Sequence, residues 1–423
     1  MPKILHFGVG NFHRAHQAWY TAQANAISDE QWSITGVSLR SAGIRDRLAS
    51  QNFEYTLVIK DAQSVDCRTI DVIDDILVAA ENAQAVVEAI ADPQTAVVTL
   101  TVTEKGYHLD PSDGGLNLSD PAISEDLGSG SPKTIYGFLA EGLRRRRERG
   151  GAALNIVSCD NLPDNGSKLR RALSSYCTAA EIDLADYPER GLAFANTMVD
   201  RIVPATDDAL RDEVFARTGR RDAHPVSTEV FTEWYIEDVL HAPYPDWASV
   251  GARLVKDVEP FELRKLRLLN GSHSLLAYAG LLAGYVYVHE AVGDPTIRKR
   301  VEQLMAEATQ TLPGESRTDA TGYCRALFER FENPNLNHRL EQIAMDGSLK
   351  LPIRIVPVIR ELEQLGCSAE AAHGAMVTWA DYVIRTVRLS GELNDPKSSE
   401  MTAIIRQSND DVLLHNRLLQ LLL

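Results

Sequence analysis

Lys3-Ile4-Leu5-His6-Phe7-Gly8-Val9-Gly10-Asn11-Phe12 is the stretch on which the fold turns. Residues 3–7 form a short strand pattern that runs straight into Gly8-Val9-Gly10, and a helical stretch follows over residues 12–26. In such a strand–turn–helix unit the first glycine permits the tight turn. The second lets backbone N–H groups approach a pyrophosphate at a helix N-terminus. His13 stands where the usual fingerprint has its third glycine. Two glycines also fit an ordinary turn, so the signal depends on its surroundings.

Outward from this unit, strands and helices alternate. Residues 32–39 read as a second strand, residues 44–51 as a helix, and residues 55–60 with 67–72 as an antiparallel insertion. A helix over 81–90 leads to Ala96-Val97-Val98-Thr99-Leu100-Thr101-Val102, a β-branched run of the kind buried on both faces. Residues 113–131, rich in Gly, Ser and Asp, read as a long surface loop; a helix over 135–149 and a buried strand over 153–158 follow. The pattern predicts an α/β Rossmann-type doubly wound sheet with an antiparallel extension. Beyond residue 250 helical periodicity dominates, over 260–283, 295–309, 318–331, 354–365, 369–389 and 410–422. The expected organisation is a dinucleotide-binding domain over 1–250 and a mostly α-helical substrate-binding and catalytic domain over 251–423.

An acidic residue after the second strand would bind the ribose 2′-OH of NAD, and an arginine would suit the 2′-phosphate of NADP. Here the strand ends in Ser38-Leu39-Arg40-Ser41, with no acid before Asp46. NAD is the expected cofactor and NADP is not excluded.

The segment from Glu259 to His273 carries the chemistry. On a regular helix of about 100° per residue with Lys265 at zero, Glu262 falls near 60°, His273 near 80° and Asn270 near 140°. A lysine can act as general base when desolvation lowers its pKa, and an asparagine can donate to a developing alkoxide. The competing reading is a polar helix stripe that simply meets solvent. No HExxH and no Cys/His cluster at zinc spacing occurs, so no metal is expected.

Composition narrows the classes. The 423 residues carry 43 basic and 59 acidic side chains, a formal charge of −16, which disfavours nucleic-acid binding. The one basic run, Arg144-Arg145-Arg146-Arg147-Glu148-Arg149, reads as a solvated helix C-terminus. Five scattered cysteines without a CxxC pair, and no signal-peptide pattern, point to a reduced cytoplasmic protein. Residues 268–287 lack Asp, Glu, Lys and Arg, but Asn270, Ser272, His273 and Ser274 mark a buried core helix, and no membrane association is expected.

The residues resemble a known family. His6-Phe7-Gly8-Val9-Gly10-Asn11-Phe12-His13-Arg14-Ala15-His16-Gln17, Thr101-Val102-Thr103-Glu104-Lys105-Gly106-Tyr107, Cys159-Asp160-Asn161, Met198-Val199-Asp200-Arg201-Ile202-Val203-Pro204, the Lys265/Asn270/His273 segment and Asp346-Gly347-Ser348-Leu349-Lys350 span nearly the whole chain. In this order they are similar to the long-chain mannitol dehydrogenase family of polyol and sugar-acid dehydrogenases. The resemblance implies Lys265 as general base, Asn161 and Asn270 as the oxyanion hole, His273 and Asp200 as substrate contacts, and Glu262 as proton relay to water. The expected cofactor contacts are Phe7, Gly8, Val9, Gly10, Asn11, Phe12, Arg40, Thr103 and Glu104.

Mannitol-specific members carry an Arg and a His that would fall at Gln342 and Met345. The version present here, with Lys350 and Arg354, looks more like the mannonate oxidoreductase (fructuronate reductase) branch. Two cations near the far end of the substrate would suit a carboxylate; Arg354 equally fits a solvent-facing or structural role. The first strand starts at residue 3, so a family N-terminal segment is expected to be missing. The expected activity is NAD(P)-dependent interconversion of alcohol and ketone on an acyclic sugar derivative, D-mannonate/D-fructuronate or mannitol/fructose, by a monomer or small homo-oligomer. The alternatives are a nucleotide-binding redox sensor, which would not need an oxyanion hole, and an oligomeric scaffold.

Overall fold

Thr95-Ala96-Val97-Val98-Thr99-Leu100 is buried at every position, as a β-branched run between two helical layers must be. In the computed structural model, which describes residues 1–110, 113–151, 153–184, 191–389 and 392–422, it is one of a series of strands. In chain order these are β1 (Lys3–Phe7), β2 (Ser33–Ser38), β3 (Tyr55–Lys60), β4 (Val65–Ile70), β5 (Ile73–Val78), β6 (Thr95–Leu100), β7 (Leu154–Ser158), β8 (Leu192–Ala195), β9 (Thr197–Asp200), β10 (Val226–Glu229), β11 (Glu233–Glu237) and β12 (Arg253–Val255). The main sheet has the order β5-β2-β1-β6-β7-β8, with all neighbours parallel. This is the doubly wound order 3-2-1-4-5-6, whose direction reverses between β1 and β6. The crevice at that reversal is where such sheets bind ligands. Two smaller sheets, β10-β3-β4 and β12-β11-β9, complete the first compact unit, Met1–Glu259. The second unit, Pro260–Leu423, is helical, and its central helix Gly271–Ala283 is buried along most of its length.

Several local expectations are corrected. The helix expected over 12–26 breaks at His16 (φ −122°, ψ −85°) into Asn11–Ala15 and Gln17–Ile27. Residues 113–131 are not all loop: Asp120 caps a helix over Pro121–Ser129, accepting from Ala122 N, with proline at its first turn. β5 joins the main sheet beside β2, and no strand was expected there. The helix expected over 318–331 breaks at Asp319, giving Gly314–Thr318 and Ala320–Phe331. Residues 260–283 are not one regular helix, because Lys265–Asn270 is π-helical between Glu259–Arg264 and Gly271–Ala283.

The basic run is also not a uniformly solvated end. Arg146 is fully buried and donates to the carbonyls of Ile90, Asp92 and Ala153. Arg144 and Arg145 pair with Glu141, and Arg145 with Glu88. The guanidinium row therefore ties its helix to the neighbouring one. No helix among the described residues is long and apolar enough to cross a membrane.

Two imidazoles lie in the core beneath the glycine turn. His6 and His13 stack at 3.3 Å between centroids with a 12° tilt, and both are fully buried. Burial pushes His6 down to about 3, and burial, followed by the charge of His6, pushes His13 well down. Both are neutral in the folded protein, whereas the unfolded chain takes up their protons as pH falls below about 6.5. Stability is therefore complete above that pH and declines with acid, by about 1.4 kcal/mol per pH unit for each group. Four of the five tryptophans, Trp19, Trp32, Trp234 and Trp247, lie in the first unit and Trp379 in the second, so with Trp379→Phe as background tryptophan emission follows the first unit's unfolding in urea. The urea midpoint should fall between about pH 7 and 5, and His13→Phe, which keeps the stacked ring, should make the fall shallower. Equal slopes in both proteins would refute this account.

Candidate active site

At the end of β1, Gly8 adopts φ +96°, and a Cβ there would lie 2.1 Å from the Thr101 carbonyl oxygen. Only glycine fits. Gly10 differs: its φ of −84° and ψ of −178° are open to any residue, and the nearest atom to a built Cβ is the Gly8 oxygen at 3.9 Å. Neither backbone conformation nor packing requires glycine at that exposed position, so the open space in front of it fits the approach of a ligand backbone group. The Gly8 carbonyl accepts from Gly10 N at 2.7 Å, from Thr101 Oγ1 at 2.7 Å and faces His6 Nε2 at 3.1 Å. The His6–His13 stack fills the place where a third glycine would bring helix and strand together.

The expected cofactor residues separate by what their side chains do. Phe7 and Val9 are buried in the core, which leaves only their backbone to a ligand. Asn11 donates to Pro204 O and Thr206 Oγ1 and accepts from Arg14, so its side chain serves the turn. Phe12 stacks on His16 at 5.1 Å. Arg40 is exposed, just past the end of β2. Thr103 follows β6 with φ 68° and ψ 163°, a conformation that glycine tolerates and that costs a β-branched residue of order 1–3 kcal/mol. Glu104 opens the 3₁₀ turn Glu104–Tyr107 next to it.

Asn161 lies two residues past Cys159, at the carboxyl end of β7, and is exposed. Asp200 closes β9 and is almost fully buried. Its neighbour Arg201 lies over the Trp19 ring at 4.8 Å and donates to Glu229 O, a structural role for that charge.

In the second unit the π turn changes the geometry expected of Lys265 and Asn270. Gly271 N donates to Leu266 O, five residues back. With i→i+5 bonding, residues five apart come to one face, as residues four apart do in an α-helix. Lys265 and Asn270 are such a pair, and both are half-buried. The arc expected of a regular helix is thus replaced by a wider turn in which these two positions lie on one face. Flanking arginines clamp it. Arg264 donates to Asp319 at 2.6 Å and lies 4.1 Å over the Tyr323 ring. Arg267 bonds both Glu361 oxygens at 2.6 and 2.7 Å and Thr311 O at 2.6 Å.

His273 follows the turn by one residue pair and is 7% exposed. Burial first, then the charges of His338, Arg330, Arg354 and Lys265, hold its imidazole well below its ordinary range, so it is neutral. Arg354 reaches Asn270 O at 3.4 Å and Ser274 Oγ at 3.2 Å, which joins it to the turn and removes the solvent-facing reading. Lys350 Nζ donates to Ile343 O at 3.2 Å. Glu262 is half-buried on the preceding helix. Among the described residues, no group of three or more His, Cys, Asp or Glu is placed to hold a metal ion.

Sequence reasoning missed the role of Asp160, the His6–His13 stack and the cation Arg330 beside His273. Only Asp160 carried a readable signal, a lone carboxylate at the end of an apolar strand.

Comparison with known proteins agrees with this architecture. The mannitol dehydrogenase Rossmann domain model matches residues 2–249, and the mannitol dehydrogenase C-terminal domain model matches residues 257–419. D-mannonate oxidoreductase of Escherichia coli is 41% identical over 386 residues, covering 90% of this chain and 79% of that protein. Mannitol 2-dehydrogenase of Phaeosphaeria nodorum is 38% identical over 424 residues, covering 97% and 74% respectively. The structure of Pseudomonas fluorescens mannitol 2-dehydrogenase in a ternary complex with NAD and D-mannitol superposes with a TM-score of 0.87 at 38% identity, over 99% of this chain and 86% of that one. The chain belongs to the mannitol dehydrogenase family and is a dehydrogenase acting on CH–OH groups.

Proposed function

We propose that the chain interconverts a secondary alcohol and a ketone on an acyclic sugar acid of the D-mannonate/D-fructuronate type, with NAD as hydride acceptor. The observation that supports the chemistry is the π turn Lys265–Asn270, with Lys265 and Asn270 at its two ends and a neutral His273 three residues further on. A bound nicotinamide supplies the hydride acceptor. Lys265, in its neutral form, takes the hydroxyl proton as the hydride leaves carbon. Asn270 and Asn161 donate hydrogen bonds to the developing alkoxide without taking its proton. His273, being neutral, can donate to or accept from a substrate hydroxyl, and Asp200 can accept from another. Glu262 relays the proton from Lys265 to water. No step in this scheme requires a metal ion.

Arg354 supports a carboxylate substrate, because its guanidinium lies against the same turn and pairs well with a carboxylate. Lys350 contributes a second cation from the same helix, Gly347–Arg354. The competing substrate is mannitol, supported by relatives of similar identity. The deciding experiment follows NADH absorbance with mannonate, fructuronate, mannitol and fructose, each with both cofactors. Turnover of mannitol and fructose alone would remove the sugar-acid reading.

Gly10→Val should fold normally, because nothing in the protein occupies that space, yet it should weaken NADH binding at least tenfold, about 1.4 kcal/mol. Unchanged titration in the folded variant would defeat the assignment of the glycine turn. Arg40→Asp should shift preference toward NAD by repelling a 2′-phosphate; an unmoved NAD/NADP ratio would show that residue 40 does not reach the ribose. Lys265→Ala should lower oxidation turnover by roughly 10²–10⁴-fold with little change in cofactor affinity. Added primary amines should restore part of the rate, and near wild-type turnover in the variant would sink the mechanism.

A further inference from the structure

Asp160 ends the segment that follows β7, one residue before Asn161, and only 7% of it is exposed. One oxygen of its carboxylate accepts from Thr103 N at 2.8 Å. The other accepts from Val102 N at 3.1 Å and from the Tyr107 hydroxyl at 2.9 Å. That hydroxyl is fully buried and lies 2.5 Å from Ser158 Oγ on β7. The backbone that carries this side chain is held as well: the Asp160 main-chain carbonyl accepts from Asn165 Nδ2 at 3.0 Å, and Asn165 also bonds both backbone groups of Thr197. A single carboxylate thus fastens the loop after β6 to the end of β7. The loop it fastens includes the strained Thr103, whose φ of 68° a β-branched residue does not adopt unaided.

We propose that Asp160 is a positioning residue for the cofactor: its ionised carboxylate holds Thr103 and Glu104 in the strained conformation that meets the dinucleotide, and protonation of that carboxylate releases them. The proposal rests on the reading of Thr103 and Glu104 as cofactor contacts. All three groups that face the carboxyl, Val102 N, Thr103 N and the Tyr107 hydroxyl, donate to it; protonation puts a further donor among them and leaves the hydroxyl oxygen a much weaker acceptor, so the clasp loosens.

The state of the carboxyl lies within reach of ordinary pH. Burial pushes Asp160 up to about 6, the three donors pull it down, and the Glu104 charge adds to the rise. The other groups facing it are Tyr107, which bonds it, and Cys159, its chain neighbour, with Lys105 on the same 3₁₀ turn as Glu104. Burial raises both the Tyr107 phenol and the Cys159 thiol well above their ordinary ranges, so both stay neutral. Cofactor affinity should therefore be constant above about pH 7 and fall as pH drops through about 6.

The test is NADH titration by fluorescence between about pH 5 and 8 on the full chain. Wild type should lose about tenfold in affinity per unit in the acid limb. Asp160→Asn should bind at least tenfold more weakly at neutral pH, with the acid limb gone. Tyr107→Phe removes one donor to the ionised form and keeps the ring, so it should move the acid midpoint upward and leave the affinity at high pH intact. A wild-type acid limb in Asp160→Asn, or an unmoved midpoint in Tyr107→Phe, overturns the proposal. Two further variants separate it from the reading beneath it. If Thr103→Ala and Glu104→Gln weaken NADH binding but Asp160→Asn does not, the contacts stand and the positioning role falls. If neither of them alters binding, the contact reading falls and the positioning role with it.

Discussion

A close approach of two backbones organises the first unit. The Gly8 Cα comes so near the Thr101 carbonyl that a single added carbon would overlap it. This contact holds the ends of β1 and β6 together at the point where the sheet reverses direction. Ligand crevices in doubly wound sheets form at such points because the chain leaves the two strands on opposite faces. Around the contact, polar groups are shared with little slack. His6 bridges the Gly8 carbonyl and Thr101 Oγ1, and Thr99 Oγ1 holds its other nitrogen at 2.7 Å. Asp160 holds the backbone just beyond. The conformation of the turn is thus set by neighbours on three strands, not by the glycine pattern alone.

The second unit relies on a different device. A π turn is intrinsically poor in hydrogen-bond geometry and persists where surrounding structure supports it. Here that support is ionic and aromatic: Arg264 between Asp319 and Tyr323, and Arg267 bidentate to Glu361. Both guanidinium groups are buried while their carboxylate partners remain wetter, so the pairs anchor side chains more than they contribute net energy. The positive charges around His273 also keep that ring neutral, which leaves it able to act as donor or acceptor.

The alternation of apolar strands and periodic helices was readable because those elements satisfy local rules throughout. β6 and β7 are buried on both faces and carry no charged residue. β5 was not readable, since Asp74 and Asp75 interrupt it and it occupies a sheet edge where carboxylates meet water. The helix over Pro121–Ser129 carried a legible Asp120-Pro121 start, masked by a Gly-, Ser- and Asp-rich composition that suggests loop. Arg146 looked like its exposed neighbours because burial of one arginine in a row depends on carbonyls supplied from residues far along the chain.

By itself, the sequence determined the class of fold, the family resemblance and the glycine turn, because motif order and hydrophobic period are local properties of the chain. Tertiary structure decided the rest. Whether Gly10 is glycine for the backbone or for a ligand depends on the empty space in front of it. Whether Lys265 and Asn270 share a face depends on one extra residue in a helical turn, and carboxylates remote in sequence, Asp319 and Glu361, stabilise that turn through Arg264 and Arg267. The ionisation of His6, His13, His273 and Asp160 depends on how much water is excluded around them. Each of these is set by groups brought together from remote parts of the chain, which no local pattern records.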